Sequence, residues 1–194
     1  MRSYTRIIAC CLTALILILP SSGLDVAINL QEDGKTYLAR VVLNQTDRYE
    51  IVEPGMLGER IPLQVSNLTV SNGTSALSIT PDRGTLHLPH GDYVITYEGK
   101  VSGNILQLLF PSEGNVTVTL PHPYQVGNPL LTSIQPRGAD TVHDNTTTQI
   151  NWEKVRSVEL RYYDEQQEMF LYIFGQFWLI IAVLLLIPFF LARR

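Results

Sequence analysis

Alternation of apolar and polar positions dominates the middle of the chain. In "DVAINL", Val26, Ile28 and Leu30 fall on every second position, the period-two pattern of a strand with one buried face. Asp33-Gly34 follows as a hairpin signal. "TYLARVVL" and "YEIVE" come next, the latter stopped by Pro54-Gly55, and "IPLQVSNLTV" alternates at Ile61, Leu63 and Val65 before the turn "SNGT". "ALSIT" and "TLHL" flank "PDRG", and "YVITYEG" alternates at Tyr93, Ile95 and Tyr97. "NILQLLF" leads through a turn at "PSEG" to "NVTVTL", with Val116, Val118 and Leu120 on one face. After a proline-rich connector over residues 120–138, "TTQINW" and "VRSVELRYY" make a last pair. About ten short strands with regularly spaced turns and no helix-period stretch predict an all-β sandwich over residues 24–163.

The two ends break this pattern. Arg2 and Arg6 precede an apolar run from Ile7 to Leu19, followed by Pro20 and the small residues Ser21, Ser22 and Gly23. This is the layout of a secretory signal peptide over residues 1–23. Cleavage after Gly23 puts Ser21 and Gly23 at the two small positions. An uncleaved anchor is the alternative, since no charge falls between Arg6 and Asp25. At the other end, residues 169–192 carry no charge, long enough for a transmembrane helix. Asp164, Glu165 and Glu168 precede it as an acidic collar over residues 164–168, and Arg193 and Arg194 close it. Basic flanks stay in the cytoplasm, so the expected topology is a cell-membrane protein, single-pass, with the N-terminal domain outside and residues 193–194 as a cytoplasmic tail.

Composition sharpens the picture at two points. Asn-x-Thr triplets stand at Asn44, Asn67, Asn72, Asn115 and Asn145, where chance supplies about one, so these are expected N-glycosylation sites in the outside segment. The only cysteines, Cys10 and Cys11, lie inside the signal, so the exterior is expected to have no disulfides. The net charge is −4 and no basic patch stands out, which excludes nucleic-acid binding from the expected functions.

Candidate chemistry is sparse. No nucleophile elbow, phosphate-cradling glycine loop or His-Glu-x-x-His appears, and no catalytic residue, metal site or cofactor is expected. His87, His90 and Asp92 could approach one metal, but they read as solvated residues at a strand end and a Pro89 turn. A hydrolase centred on His87, His90 and His122 is the least favoured alternative. Asp140 and Asp144 beside His143 read as loop polarity, since a calcium loop needs denser acid spacing. In the apolar helix, Gln176 next to Gly175 is a candidate contact for a partner helix, the competing reading being that it lies close enough to the headgroups to be wet. Leu130 and Leu131 in the connector are read as tucked under the sandwich, and as a partner surface if exposed.

Two resemblances add to this. "LPHGDYVITYEG", residues 88–99, resembles one edge of prealbumin-like and PEGA-type sandwich modules, in which the glycine begins the strand tightly and the tyrosine packs inward. With the strand pattern it points to an Ig-like or prealbumin-like sandwich. Residues 120–194 are similar to a family of uncharacterised archaeal membrane-anchored surface proteins (domain of unknown function number fifty-eight oh three). The shared pattern runs through Val126 to Leu131, Pro136 to Gly138, Ile150 to Trp152, Val158 to Tyr163 and Leu171 to Gly175; the N-terminal half does not place on it. The family brings no activity with it. Sequence and resemblance together lead to a glycosylated, membrane-anchored binding or accessory module of an archaeal envelope. Its expected partners are the lipid bilayer and membrane or envelope proteins. The alternative is a subunit recruited to a membrane complex through its helix.

Overall fold

The computed structural model describes residues 24–191 apart from residues 56, 74, 78 and 145. The expected signal, Asn145, Arg193 and Arg194 lie outside the described residues. The described chain is mostly β-sheet and ends in one long apolar helix. The strands are β1 Leu24–Leu30, β2 Thr36–Glu50, β3 Val52–Pro54, β4 Arg60–Pro62, β5 Ser66–Ser71, β6 Ala76–Leu77, β7 Thr85–Lys100, β8 Ile105–Pro121, β9 Ser133–Gln135, β10 Asp140–His143 and β11 Thr147–Arg161, and the helix α1 is Glu165–Leu191. Hydrogen bonding orders them β10-β11-β8-β1-β2-β7-β5-β6, with β3 joining β4 to β8 and β9 pairing β11. All pairs are antiparallel except β1 with β8.

Four pairs of short strands expected from the pattern are each one long strand. β2, β7, β8 and β11 are 15 to 17 residues long. Each has a polar, exposed waist where the ladder slips. Between β2 and β7 the register shifts around Thr46↔Gly91, and between β8 and β11 around Gly114↔Val155. These bulges let a strand change direction without stopping. "PSEG" is therefore not a turn, and Pro111 needs no ladder donor because it lies opposite the slip. Pro89 is accommodated in the same way, so His87 and His90 sit in β7 and not at a strand end. Gly91 likewise lies inside a continuous strand, while Tyr93 packs inward as expected, its hydroxyl donating to the Pro89 carbonyl at 2.6 Å. Gln45, at the β2 bulge, has φ of 50°. Its backbone N–H donates to Asp92 Oδ1 at 2.8 Å and its side-chain amide to the same oxygen at 3.0 Å. Asp92 thus holds the bulge in place.

Apolar side chains on both sides of the waists face one core. Leu106, Leu108 and Phe110 before the β8 bend join Val116, Val118 and Leu120 after it, and Ile150, Trp152, Val158 and Leu160 of β11 join them in a single cluster. Strands that bend at bulges so that both of their halves line a common core are consistent with a β-sandwich. A turn at Gly103 and Asn104, with φ of 64° and 59°, connects β7 to β8 as tight hairpins require.

Candidate functional site

The 120–138 connector and the start of α1 meet at one end of the β domain. Backbone bonds between Gln125 and Tyr163, 2.9 and 3.1 Å, zip the connector to the end of the last long strand. The Tyr124 ring packs edge-on to that of Tyr162, with centroids 5.4 Å apart. The Tyr162 hydroxyl donates to the Gly34 carbonyl at 2.7 Å, which ties in the β1–β2 hairpin. Burial pushes the Tyr162 phenol well above its ordinary pKa. Trp152 donates to the Pro136 carbonyl at 3.1 Å. The connector is therefore a fixed part of the domain surface.

The helix begins within the collar. Gln167 N–H donates to Asp164 Oδ1 at 2.8 Å, and Asp164 N–H donates back to Gln167 Oε1 at 3.3 Å. This is a reciprocal capping box. Glu165 and Glu168 occupy the first turn, where the helix dipole favours negative charge. Glu165, Gln167 and Glu168 of the collar each reach the domain. His122 Nε2 lies 3.2 Å from Glu165 Oε1. Asn104 donates to Gln167 Oε1 at 3.3 Å, and Asn128 to Glu168 Oε1 at 3.4 Å. Asp164, Glu168 and Leu171 are partly covered while their helical neighbours are exposed, so one helix face turns toward the connector.

Leu130 and Leu131 part company with the expectation that both are tucked under the sandwich. Leu130 is 77% exposed. Leu131 is partly covered and shares an apolar groove with Gln167, Phe170, Leu171 and Phe174. Gln176 is exposed on the helix, in a groove with Asn128, Glu168 and Tyr172. Beyond Leu171 almost all of the described helix side chains are exposed. A span over Glu165–Pro188 has mean hydropathy 2.5 and none of it is buried.

The four described asparagines of the Asn-x-Thr triplets are exposed. Asn67, with φ of 53°, donates to Glu98 at 2.8 Å, and Asn115 donates to Asp25 at 3.1 Å. His87 and His90 are in β7, while His122 in the connector and His143 at the end of β10 line one small cleft with Tyr124 and Asp144, His143 Nδ1 lying 3.1 Å from Thr148 Oγ1. Among the described residues no group of three or more His, Cys, Asp or Glu could hold a metal ion.

Sequence reasoning missed Asn104, His122 and Asn128 as the residues that seat the helix. One signal was available: Asp164 and Gln167 have capping-box spacing. The other contacts join distant segments and leave no local trace.

The molecule is thus a β domain with one candidate membrane helix at its C-terminal end. The chain belongs to a family of unknown function, DUF5803, which it matches over residues 22–192. The match takes in the N-terminal half that the resemblance could not place. No curated protein matches the sequence. Among solved structures, an aminopeptidase N family protein from Idiomarina loihiensis is similar with a TM-score of 0.45 at 7% identity, over 71% of this chain and 29% of that one. A mutant M1 zinc metallopeptidase from Deinococcus radiodurans bound to a Tyr-Ser-Ala substrate follows with a TM-score of 0.42 at 12% identity, over 74% of this chain and 44% of that one. The chain spans less than half the length of these enzymes, and likenesses this slight establish neither a shared fold nor a shared activity.

Proposed function

We propose that the chain is a single-pass, N-glycosylated cell-surface protein whose β domain is a binding or accessory module of the envelope, without catalytic activity of its own. The observation that carries this reading is the helix: a span from Glu165 to Pro188 with none of it buried needs an apolar solvent, and a bilayer supplies one. Exposed sequon asparagines on the β domain support its placement on the glycosylated side. The test uses intact cells expressing the full chain with a C-terminal epitope. Added protease should remove the β domain and leave the epitope on a short fragment, and Asn44→Gln, Asn67→Gln and Asn115→Gln should each raise gel mobility. A protected domain with unchanged mobilities would rule the topology out.

A second reading, an accessory subunit held through its helix, rests on Gln176. It lies eight residues past Glu168, about 12 Å deeper along the axis. A carboxamide there gains from a hydrogen-bonding neighbour helix. Gly175 beside it has nothing within 4 Å of a built Cβ, which permits close approach. Gln176→Leu should then change the set of proteins crosslinked in native membranes; an unchanged set argues against this reading.

A further inference from the structure

The geometry points to a second membrane contact: the tip of the connector, Asn128 to Thr132, lies in the bilayer interface beside α1 and inserts Leu130 among the lipids. The inference rests on the membrane reading of the helix. Three observations carry it.

The first is depth. Leu131 shares a groove with Phe170, Leu171 and Phe174, and Asn128 shares another with Leu171 and Tyr172. These helix residues follow Glu168, the last charge before the apolar run. Leu171 lies seven residues past the Asp164 cap, about 10 Å down the axis. A bilayer that receives the helix from Met169 onward therefore meets the connector tip at the same level.

The second is exposure. Leu130 is 77% exposed. It adjoins Leu131, which lines the groove with Phe170 and Phe174, so lipid that fills that groove lies one residue along the chain from Leu130.

The third is the backbone. A loop that enters an apolar medium must carry satisfied N–H groups. Asn128 N–H donates to the Tyr163 hydroxyl at 2.9 Å, and Leu130 N–H to Asn128 Oδ1 at 3.0 Å. Leu131 and Thr132 N–H both donate to the Asn128 carbonyl, at 3.1 and 3.0 Å. Pro129 has no N–H to satisfy. Every backbone donor from 128 to 132 is thus paired inside the protein, with Asn128 as the hub. The tip can therefore enter an apolar medium without leaving a backbone donor unpaired.

The test places an environment-sensitive fluorophore at position 130 of the full-length chain. Cys10→Ser and Cys11→Ser remove the only native cysteines, and Leu130→Cys takes the label; a second chain carries it at Leu184→Cys, in the middle of the helix. Both are reconstituted into phosphatidylcholine vesicles with or without brominated acyl chains. Blue-shifted emission and loss of fluorescence in brominated vesicles are expected at both positions. Loss at 184 with water-like, unquenched emission at 130 overturns the inference and leaves the membrane anchor standing. Blue-shifted but unquenched emission at 130 means that protein, a second copy or a partner, covers Leu130, and overturns it too. No quenching at either position removes the anchor and this inference together.

Discussion

Tyr37 and Tyr162 are both 1% exposed, yet their hydroxyls are in opposite situations. Tyr162 donates to the Gly34 carbonyl at 2.7 Å, while the Tyr37 hydroxyl is buried with no hydrogen-bond partner. A satisfied buried bond contributes about 0.5–1.5 kcal/mol, and an orphaned buried polar group costs about 1–3 kcal/mol. Tyr162→Phe should therefore lower stability by about 1 kcal/mol, and Tyr37→Phe should leave it unchanged or raise it. Urea denaturation of the detergent-solubilised chain separates the two; equal losses would contradict the assignment. Gly114 makes a second residue-scale case. A Cβ there would meet the Leu24 carbonyl oxygen at 2.2 Å, a backbone atom that cannot step aside within the β1–β8 ladder. Overpacking of this kind costs about 1–3 kcal/mol, so Gly114→Ala should lower the denaturation midpoint markedly. Gly127→Ala is the control, since the nearest atom to its built Cβ is 3.6 Å away.

At the scale of elements, the join between sheet and helix depends on Asp164. Its carboxylate accepts from Gln167 N–H at 2.8 Å, and removing an N-cap of this type costs about 0.5–2 kcal/mol. Asp164→Ala should speed amide hydrogen exchange over residues 165–168 and leave the β core protected; unchanged exchange in that turn would show that the seating contacts alone hold it. The helix was legible in the sequence because an unbroken apolar run has few other solutions. Most inward positions of the strands were legible too: Val26, Ile28, Leu30, Tyr93, Ile95, Tyr97, Val116, Val118 and Leu120 are in the core, whereas the alternation at Ile61, Leu63 and Val65 misled, since Ile61 is 39% exposed in the short strand β4. What the pattern hid was continuity. A polar stretch such as "PSEG" looks the same whether the chain turns back or a strand arches across an exposed waist, and only the partner strand decides which. Residues 44–48 and 111–113 were lost in this way. The seating contacts were hidden for a related reason, since Asn104 and Asn128 are brought to Gln167 and Glu168 by topology and not by spacing.

Over the whole molecule, buried phenols set a limit at alkaline pH. Burial raises Tyr97 from the ordinary 10.0 to about 12 and also pushes Tyr37, Tyr49 and Tyr162 well above that ordinary value. Tyr37 and Tyr97 meet edge-on, 6.4 Å between centroids, with Tyr49 hydrogen-bonded to Tyr97, so three of the four belong to one cluster. Below the unfolded value of about 10 the phenols are protonated in both states, and the stabilisation is fully present. Above it the unfolded chain releases protons that the folded chain retains, so stability falls as pH rises toward the folded values. Tyr97 alone gives a loss on the order of 2–3 kcal/mol by pH 12. Thermal melts of the full-length chain should hold steady from pH 8 to about 10 and then drop. The share of tyrosinate absorbance that Tyr49→Phe and Tyr97→Phe remove should appear in step with the loss of β-sheet signal, because the core must open before these groups ionise. That share rising well before unfolding would mean that water reaches the cluster in the folded state, and would place the weak point of the fold at the β2–β7 half of the core.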